Sequence, residues 1–311
     1  SILRAAKARK TPDVSMLTSM FIAQQIAAKA IQPLDPYLAK LAAKDREDLI
    51  IHPTSIDVAG KTYGVPYDLR VHGYVYRVDL LKKAGVSLPE SLEEWATAAK
   101  KMQEVAGKDF VGIGIAYGAV GARVIQQFIP LLVGMGAKVL NPDGTAAFYS
   151  PEAEKLLNYT HDLVHRHKVM PLDIALMNAM ELELMAESGR MGFVYEGTHK
   201  LNKMREKLPA GAELSYMAPP GFVKGKRSPA FLEAWNLAIP VAAKNPDAAW
   251  KFVEHWASPE IQLSQAQSVG TLPMRKSLGD HPSFKGAATA HIKPALDYLV
   301  ANPLKFDWPE N

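Results

Sequence analysis

Cysteine is absent from all 311 residues. That removes disulfides, thiolate nucleophiles and cysteine-ligated metals, yet leaves the compartment open, because exported proteins can also lack disulfides. No apolar run approaches the roughly eighteen residues a membrane helix requires. No signal peptide opens the sequence, so a mature or trimmed chain is expected. An excess of one charge is missing too: 36 Lys and Arg are interspersed with 32 Asp and Glu for a formal charge of +4, which leaves no nucleic-acid footprint. Gly-X-Ser-X-Gly, His-Glu-X-X-His and P-loop patterns do not occur, and Gly112-X-Gly114 lacks the third glycine of a dinucleotide fingerprint. There is no internal repeat and no low-complexity segment.

What is present is an ordinary globular balance, 48% apolar and 22% charged. The length exceeds that at which a single hydrophobic core keeps growing, so two lobes are expected. Asp13–Leu17 predicts a strand and Ile22–Ala30 a helix. Ser91 through Ala106 predicts a longer helix, with Ser91 and Glu94 at capping-box spacing and Gly107 as its stop. Phe110–Ile115, Met191–Tyr195, Leu214–Ala218 and Trp235–Ile239 read as strands. Ser150-Pro151, Asn245-Pro246 and Ser258-Pro259 each open a helix with proline at its first position. Strands alternating with helices predict α/β lobes.

One stretch stands apart. Tyr63-Gly64-Val65-Pro66-Tyr67-Asp68-Leu69-Arg70-Val71-His72-Gly73-Tyr74-Val75-Tyr76-Arg77-Val78-Asp79-Leu80 through Gly85 gathers tyrosines, charges and a proline break in one β-rich run, as a crossing that lines a cleft would. It is similar to the first hinge crossing of the family 1 extracellular solute-binding proteins, the capture subunits of ABC importers. Further motifs follow in the order the resemblance implies: Gly189-Arg190-Met191 through Gly197, Ala218-Pro219-Pro220-Gly221, Ala234-Trp235-Asn236, Lys244-Asn245-Pro246-Asp247 and Gly270-Thr271-Leu272-Pro273-Met274-Arg275.

The resemblance implies a two-lobed α/β fold, periplasmic-binding-protein-like and of class II, lacking the family's first strand and helix and its last helices. Lobe 1 would hold residues 1–69 and 232–282, and lobe 2 residues 70–231. Residues 283–311 would form an incomplete crossing toward lobe 2. It further implies a monomer in the periplasm or outside the cytoplasm. That monomer would bind a small carbohydrate-like ligand, a sugar or polyol, in the cleft and engage the membrane subunits of an ABC importer. No cofactor, metal, catalysis or nucleic-acid partner is implied.

A sugar site needs flat aromatic platforms for C–H faces and fixed polar groups for hydroxyls. By resemblance Trp235 is the leading platform; a core tryptophan on a strand is the competing reading. Glu233-Ala234 precedes it where the family often has two glycines, which implies added bulk beside the ligand. Tyr67 could stack and Asp68 could accept from hydroxyls, or both belong to a solvated turn. Arg70 stands where relatives often carry an acid: facing the cleft it favours a carboxylate or phosphate ligand, and otherwise it pairs with a structural carboxylate. Arg275 either reaches ligand hydroxyls or opens the next helix. Glu196 and Tyr195, Tyr117, and Thr18 with Ser19 end strands, where α/β lobes deliver ligand contacts. His72 fits either reading.

Of His161, His165 and His167, the first two are one helical turn apart, a spacing that can bind zinc, but Leu157, Thr160 and Val164 on the inner side would leave the histidines on a solvated face. Met177, Met180 and Met185 read as packing residues. Three functions remain open: capture of a neutral carbohydrate-like solute, capture of a sugar phosphate or uronate through Arg70 and Arg275, and a carbohydrate-active enzyme with paired carboxylates. Ferric-ion capture would need paired tyrosines late in the chain.

Overall fold

The computed structural model describes residues 10–286 apart from 58, 117–122 and 176, together with 289, 292, 295 and 296. Among these the strands are β1 (Ser15–Thr18), β2 (Val65–Arg77), β3 (Val111–Gly114), β4 (Met191–Gly197), β5 (Leu214–Met217) and β6 (Phe231–Ala238). The described residues fall into two compact units, one holding those up to Val71 and from Leu232 onward, the other His72–Phe231. The chain passes between them inside β2 and inside β6, in extended backbone.

In the first unit β1 runs antiparallel to β6, with Ser15 opposite Ala238 and Thr18 opposite Trp235. Leu17, Ile22, Ile31 and Ala238 are buried together, with Ile26 and Tyr63 packed against them. The strand begins at Ser15 and not at the expected Asp13, because the Asp13 carboxylate is engaged elsewhere: it accepts from the backbone N–H of Lys244 at 2.6 Å and of Asn245 at 3.0 Å. The first helix runs Ser19–Ala27, earlier than the expected 22–30, since Thr18 accepts from the Met20 N–H and caps it. Helices Pro246–Trp256 and Pro259–Val269 open on proline as the sequence predicts. The second closes on Gly270 at φ +80°, a left-handed position natural to glycine.

In the second unit the later part of β2 pairs antiparallel with β4, His72 facing Gly197 and Tyr76 facing Phe193, while β3 runs parallel to β4. β5 pairs with β2, Tyr74 opposite Met217. Trp95, Tyr74, Phe193, Met102, Leu156 and Leu163 form a fully buried centre. The helix Leu92–Ala106 is capped by Ser91, whose Oγ accepts from the Glu94 N–H at 3.2 Å. Glu94 reaches back one residue further than the capping-box spacing anticipates, taking the N–H of Glu90.

Two readings are corrected. On the helix Pro151–His165 the buried stripe is Ala153, Leu156 and Leu163, so Leu157 is 58% exposed where an inward position was expected. On the helix Ala179–Glu187, Leu182, Glu183, Ala186 and Glu187 turn inward and Met180 is 70% exposed, so it is not a packing residue.

Candidate functional site

The first unit assembles a polar and aromatic group from β1, β2 and β6. Glu233 and Trp235, two apart on β6, project to one face, and Trp235 lies across from Thr18. Asp68 and Arg70, two apart on β2, are hydrogen-bonded: Asp68 Oδ2 accepts from Arg70 Nε at 3.0 Å and from Nη2 at 2.5 Å. Arg70 Nη1 lies 3.9 Å from Glu233 Oε2, and the guanidinium carbon sits 5.8 Å from the centre of the Trp235 ring. One cation is thus held between two acids and an indole face.

Asp68 and Glu233 are 5% and 6% exposed. Burial by itself would weaken the Arg70 charge, but the hydrogen bond and charge of Asp68, with the charge of Glu233, outweigh it and raise the Arg70 pKa. Trp235 Nε1 is buried with no hydrogen-bond partner among the described residues.

Tyr67 adjoins this group differently. Its hydroxyl donates to Met16 Sδ at 2.6 Å and its ring meets Trp256 edge-on at 5.9 Å. Burial, followed by the Asp68 charge, raises its pKa and keeps the phenol protonated. Ser19 is turned to structure, its Oγ accepting from the Ala234 N–H at 3.2 Å. Thr18 serves as the helix cap.

Arg275 is remote in its contacts from Asp68, Arg70 and Trp235. Its Nε donates to Ala257 O at 2.7 Å, and Nη1 approaches Asp45 Oδ1 at 3.4 Å and Asp48 Oδ2 at 3.3 Å. The residue is 5% exposed. It opens a short turn of 3-10 helix at Lys276–Leu278, close to the helix-opening alternative, but buried and ion-paired.

The second unit holds its own constellation around β4. His72 stacks on Tyr195 with ring centres 6.0 Å apart, and meets His199 and Phe231 edge-on at 5.9 and 6.2 Å. Tyr195 donates through its hydroxyl to Gln126 O. Glu196 is buried and accepts from the Gly197 N–H at 3.3 Å. Thr198 Oγ1 is buried without a partner among the described residues. A Cβ on Gly197 would stand 2.6 Å from His199 Nδ1, so any side chain there would have to displace the His199 ring. Tyr117 lies outside the described residues. The preceding Ala116 is clamped by Gln127, which accepts from its N–H at 3.0 Å.

Asp68, Arg70, Trp235 and Thr18 are therefore brought together, with Tyr67 beside them; Glu196 stands in a separate setting and Arg275 is committed to helix ends and acids. Glu233, His199 and Gln127 were missed as functional candidates. Glu233 left a trace, as bulk where relatives have glycine, but nothing in the sequence says that it meets Arg70. Two shallow hollows, of about 310 Å³ by Asp35, Arg46 and Thr62 and about 360 Å³ by Gln103, Phe110 and Met170, contain none of these residues.

Known proteins resemble the chain at three levels. The maltose-bound MalE3 of T. maritima superposes with a TM-score of 0.80 at 23% identity, covering 96% of this chain and 75% of that one. A solute-binding protein of Agrobacterium vitis solved with D-mannitol gives 0.77 at 24% identity, covering 96% and 74%. These likenesses establish the α/β, two-lobed binding-protein fold. A Brucella abortus relative named as a binding protein is 21% identical over 85% of this chain and 62% of its own length. A Deinococcus radiodurans relative named as an ABC transporter-binding protein is 25% identical over 67% of this chain and 50% of its own length. The chain thus spans only half to three-fifths of those curated relatives. The model of the family described as bacterial extracellular solute-binding protein matches residues 2–263. With most of the chain matched, the protein belongs to the bacterial extracellular solute-binding proteins.

Proposed function

We propose that this protein captures a neutral, carbohydrate-like solute, a sugar or polyol, outside the cytoplasm and delivers it, as a monomer, to the membrane subunits of an ABC importer. The observation that carries the reading is the Trp235 ring set beside the Asp68–Arg70–Glu233 group. Sugars and polyols present apolar C–H patches and many hydroxyl donors. An indole face suits the first, and carboxylates fixed by a guanidinium suit the second. Relatives of the same fold lend support: the T. maritima protein was solved with maltose and the A. vitis protein with D-mannitol.

The acidic-ligand alternative is weaker. Arg70 already faces two carboxylates, and Arg275 is engaged by Ala257, Asp45 and Asp48. An enzymatic couple of Asp68 and Glu233 is disfavoured because both acids share one guanidinium, whereas an acid and a base need contrasting environments. Capture involves no bond making; the solute acts by favouring the state it binds best.

Calorimetric titration against sugars, polyols and sugar acids is the test. Binding of at least one neutral member is expected, and Trp235→Ala should weaken it by roughly 1–3 kcal/mol through loss of the ring platform. Silence across the whole panel would remove the carbohydrate reading.

A further inference from the structure

The Arg70 guanidinium is flanked by Asp68 at 2.5 Å and by Glu233 at 3.9 Å, with the Trp235 ring 5.8 Å away. Asp68 engages two of its nitrogens through one oxygen, whereas Glu233 closes the remaining side at longer range. We propose that Glu233 is the specificity-determining residue of this site: by holding Arg70 between two acids it makes the group a receptor for neutral polyhydroxyl solutes and turns uronates and sugar phosphates away. This rests on the function proposed above and adds which member of the solute class is admitted and why.

The argument is one of charge and geometry. A guanidinium alone over an indole would be a carboxylate or phosphate receptor, because it offers a planar fork of donors and no acceptor. Here an anion approaching the guanidinium would meet Asp68, hydrogen-bonded to it, and Glu233, 3.9 Å from it. Such an anion would stand beside two like charges in a site where Asp68 and Glu233 are 5% and 6% exposed and water screens poorly. A solute hydroxyl, in contrast, can donate to a carboxylate and accept from the guanidinium together. Discrimination comes from the repulsive element as much as from the attractive one.

Glu233 also fixes Arg70 from the β6 side, next to the residue that carries the ring. Its partner Asp68 lies on the same strand as Arg70, so Glu233 is the acid that ties the β2 pair to the β6 platform.

The experiment measures galactose, mannitol and galacturonate binding by calorimetry for the wild type, Glu233→Gln, Glu233→Asp and Asp68→Asn, with circular dichroism to confirm folding. The wild type should bind a neutral member and bind galacturonate at least about tenfold less tightly. Glu233→Gln keeps the volume and removes the charge, and should shift the ratio toward galacturonate by about tenfold or more. Glu233→Asp should retain the neutral preference. A merely structural glutamate would weaken all solutes together and leave the ratio unchanged. Should Glu233→Gln fail to fold, Asp68→Asn tests the same shift.

A wild type that prefers galacturonate, or variants whose ratio stays within about threefold, would overturn the assignment while leaving solute capture intact. A wild type silent toward the whole sugar, polyol and sugar-acid panel would instead overturn the proposed function, and this assignment with it.

Discussion

Arg275 sits at 5% exposure with Nε on Ala257 O at 2.7 Å and Nη1 near Asp45 and Asp48. Burial would raise the Asp48 pKa, but hydrogen bonds from the Ser277 N–H and hydroxyl, with those from Arg275, hold it below the usual carboxylate value. Removing the arginine leaves a partly buried acid without its counter-charge, so Arg275→Ala should lower unfolding free energy by about 3 kcal/mol. Urea denaturation checks this, and a loss below about 1 kcal/mol would refute the stabilising role of the Arg275 ion pairs.

His52 makes a second prediction at this scale. Burial lowers its pKa from 6.5 to about 4, and its Nδ1 accepts from the Thr54 N–H at 3.2 Å, which holds the ring neutral. The unfolded chain takes up this proton near its ordinary pKa and the native state only near 4. The stability His52 contributes is therefore complete above pH 6.5, declines as pH falls toward 4, and is lost below it, about 3 kcal/mol in all. Urea midpoints between pH 7 and 4 should drop more steeply for the wild type than for His52→Gln; equal slopes would refute the assignment. In the sequence, Trp235, Asp68 and Arg70 were legible as chemistry, because indole, carboxylate and guanidinium announce what they can bind. The commitment of Arg275 was not, since its partners lie near residues 45–48 and 257, far from it in sequence.

The elements themselves were largely readable. Prolines 151, 246 and 259 and the Ser91 and Ser150 caps act locally, so helix starts could be placed from adjacent residues alone. Ends drifted where a distant group intervened: Asp13 left the strand for Lys244 and Asn245, and β6 began at Phe231, earlier than the expected Trp235. Helix faces drifted by one position, which is how Leu157 and Met180 came to be misread.

Within β2, Gly73 is a packing requirement invisible in the sequence. A Cβ there would stand 2.6 Å from Met217 O and 2.5 Å from the Tyr216 hydroxyl. The carbonyl belongs to a paired strand and cannot swing aside, so Gly73→Ala should cost about 1–3 kcal/mol by overpacking. Chemical denaturation measures it, and a cost near zero would mean that β5 yields more readily than a paired strand should.

At the level of the molecule, the family was legible because several motifs occur in one order across nearly the whole chain, and the match over residues 2–263 bears this out. The two compact units exchange the chain at Val71–His72 and Phe231–Leu232, inside β2 and β6. Each carries an aromatic and polar group next to those passages: Trp235 with Asp68, Arg70 and Glu233 in one, His72 with Tyr195, Glu196 and His199 in the other. The calorimetric panel tests the proposed capture at this scale.

By itself the sequence determined the α/β class, the family and the chemical vocabulary of the site, since hydrophobic period, capping and turn residues act over a few positions and leave a readable pattern. Only the tertiary structure decided which charges meet. Arg70 could have faced a ligand alone, but folding brought Glu233 beside it from 163 positions along the chain. Ion pairing depends on distances of a few ångströms between residues that share no local pattern.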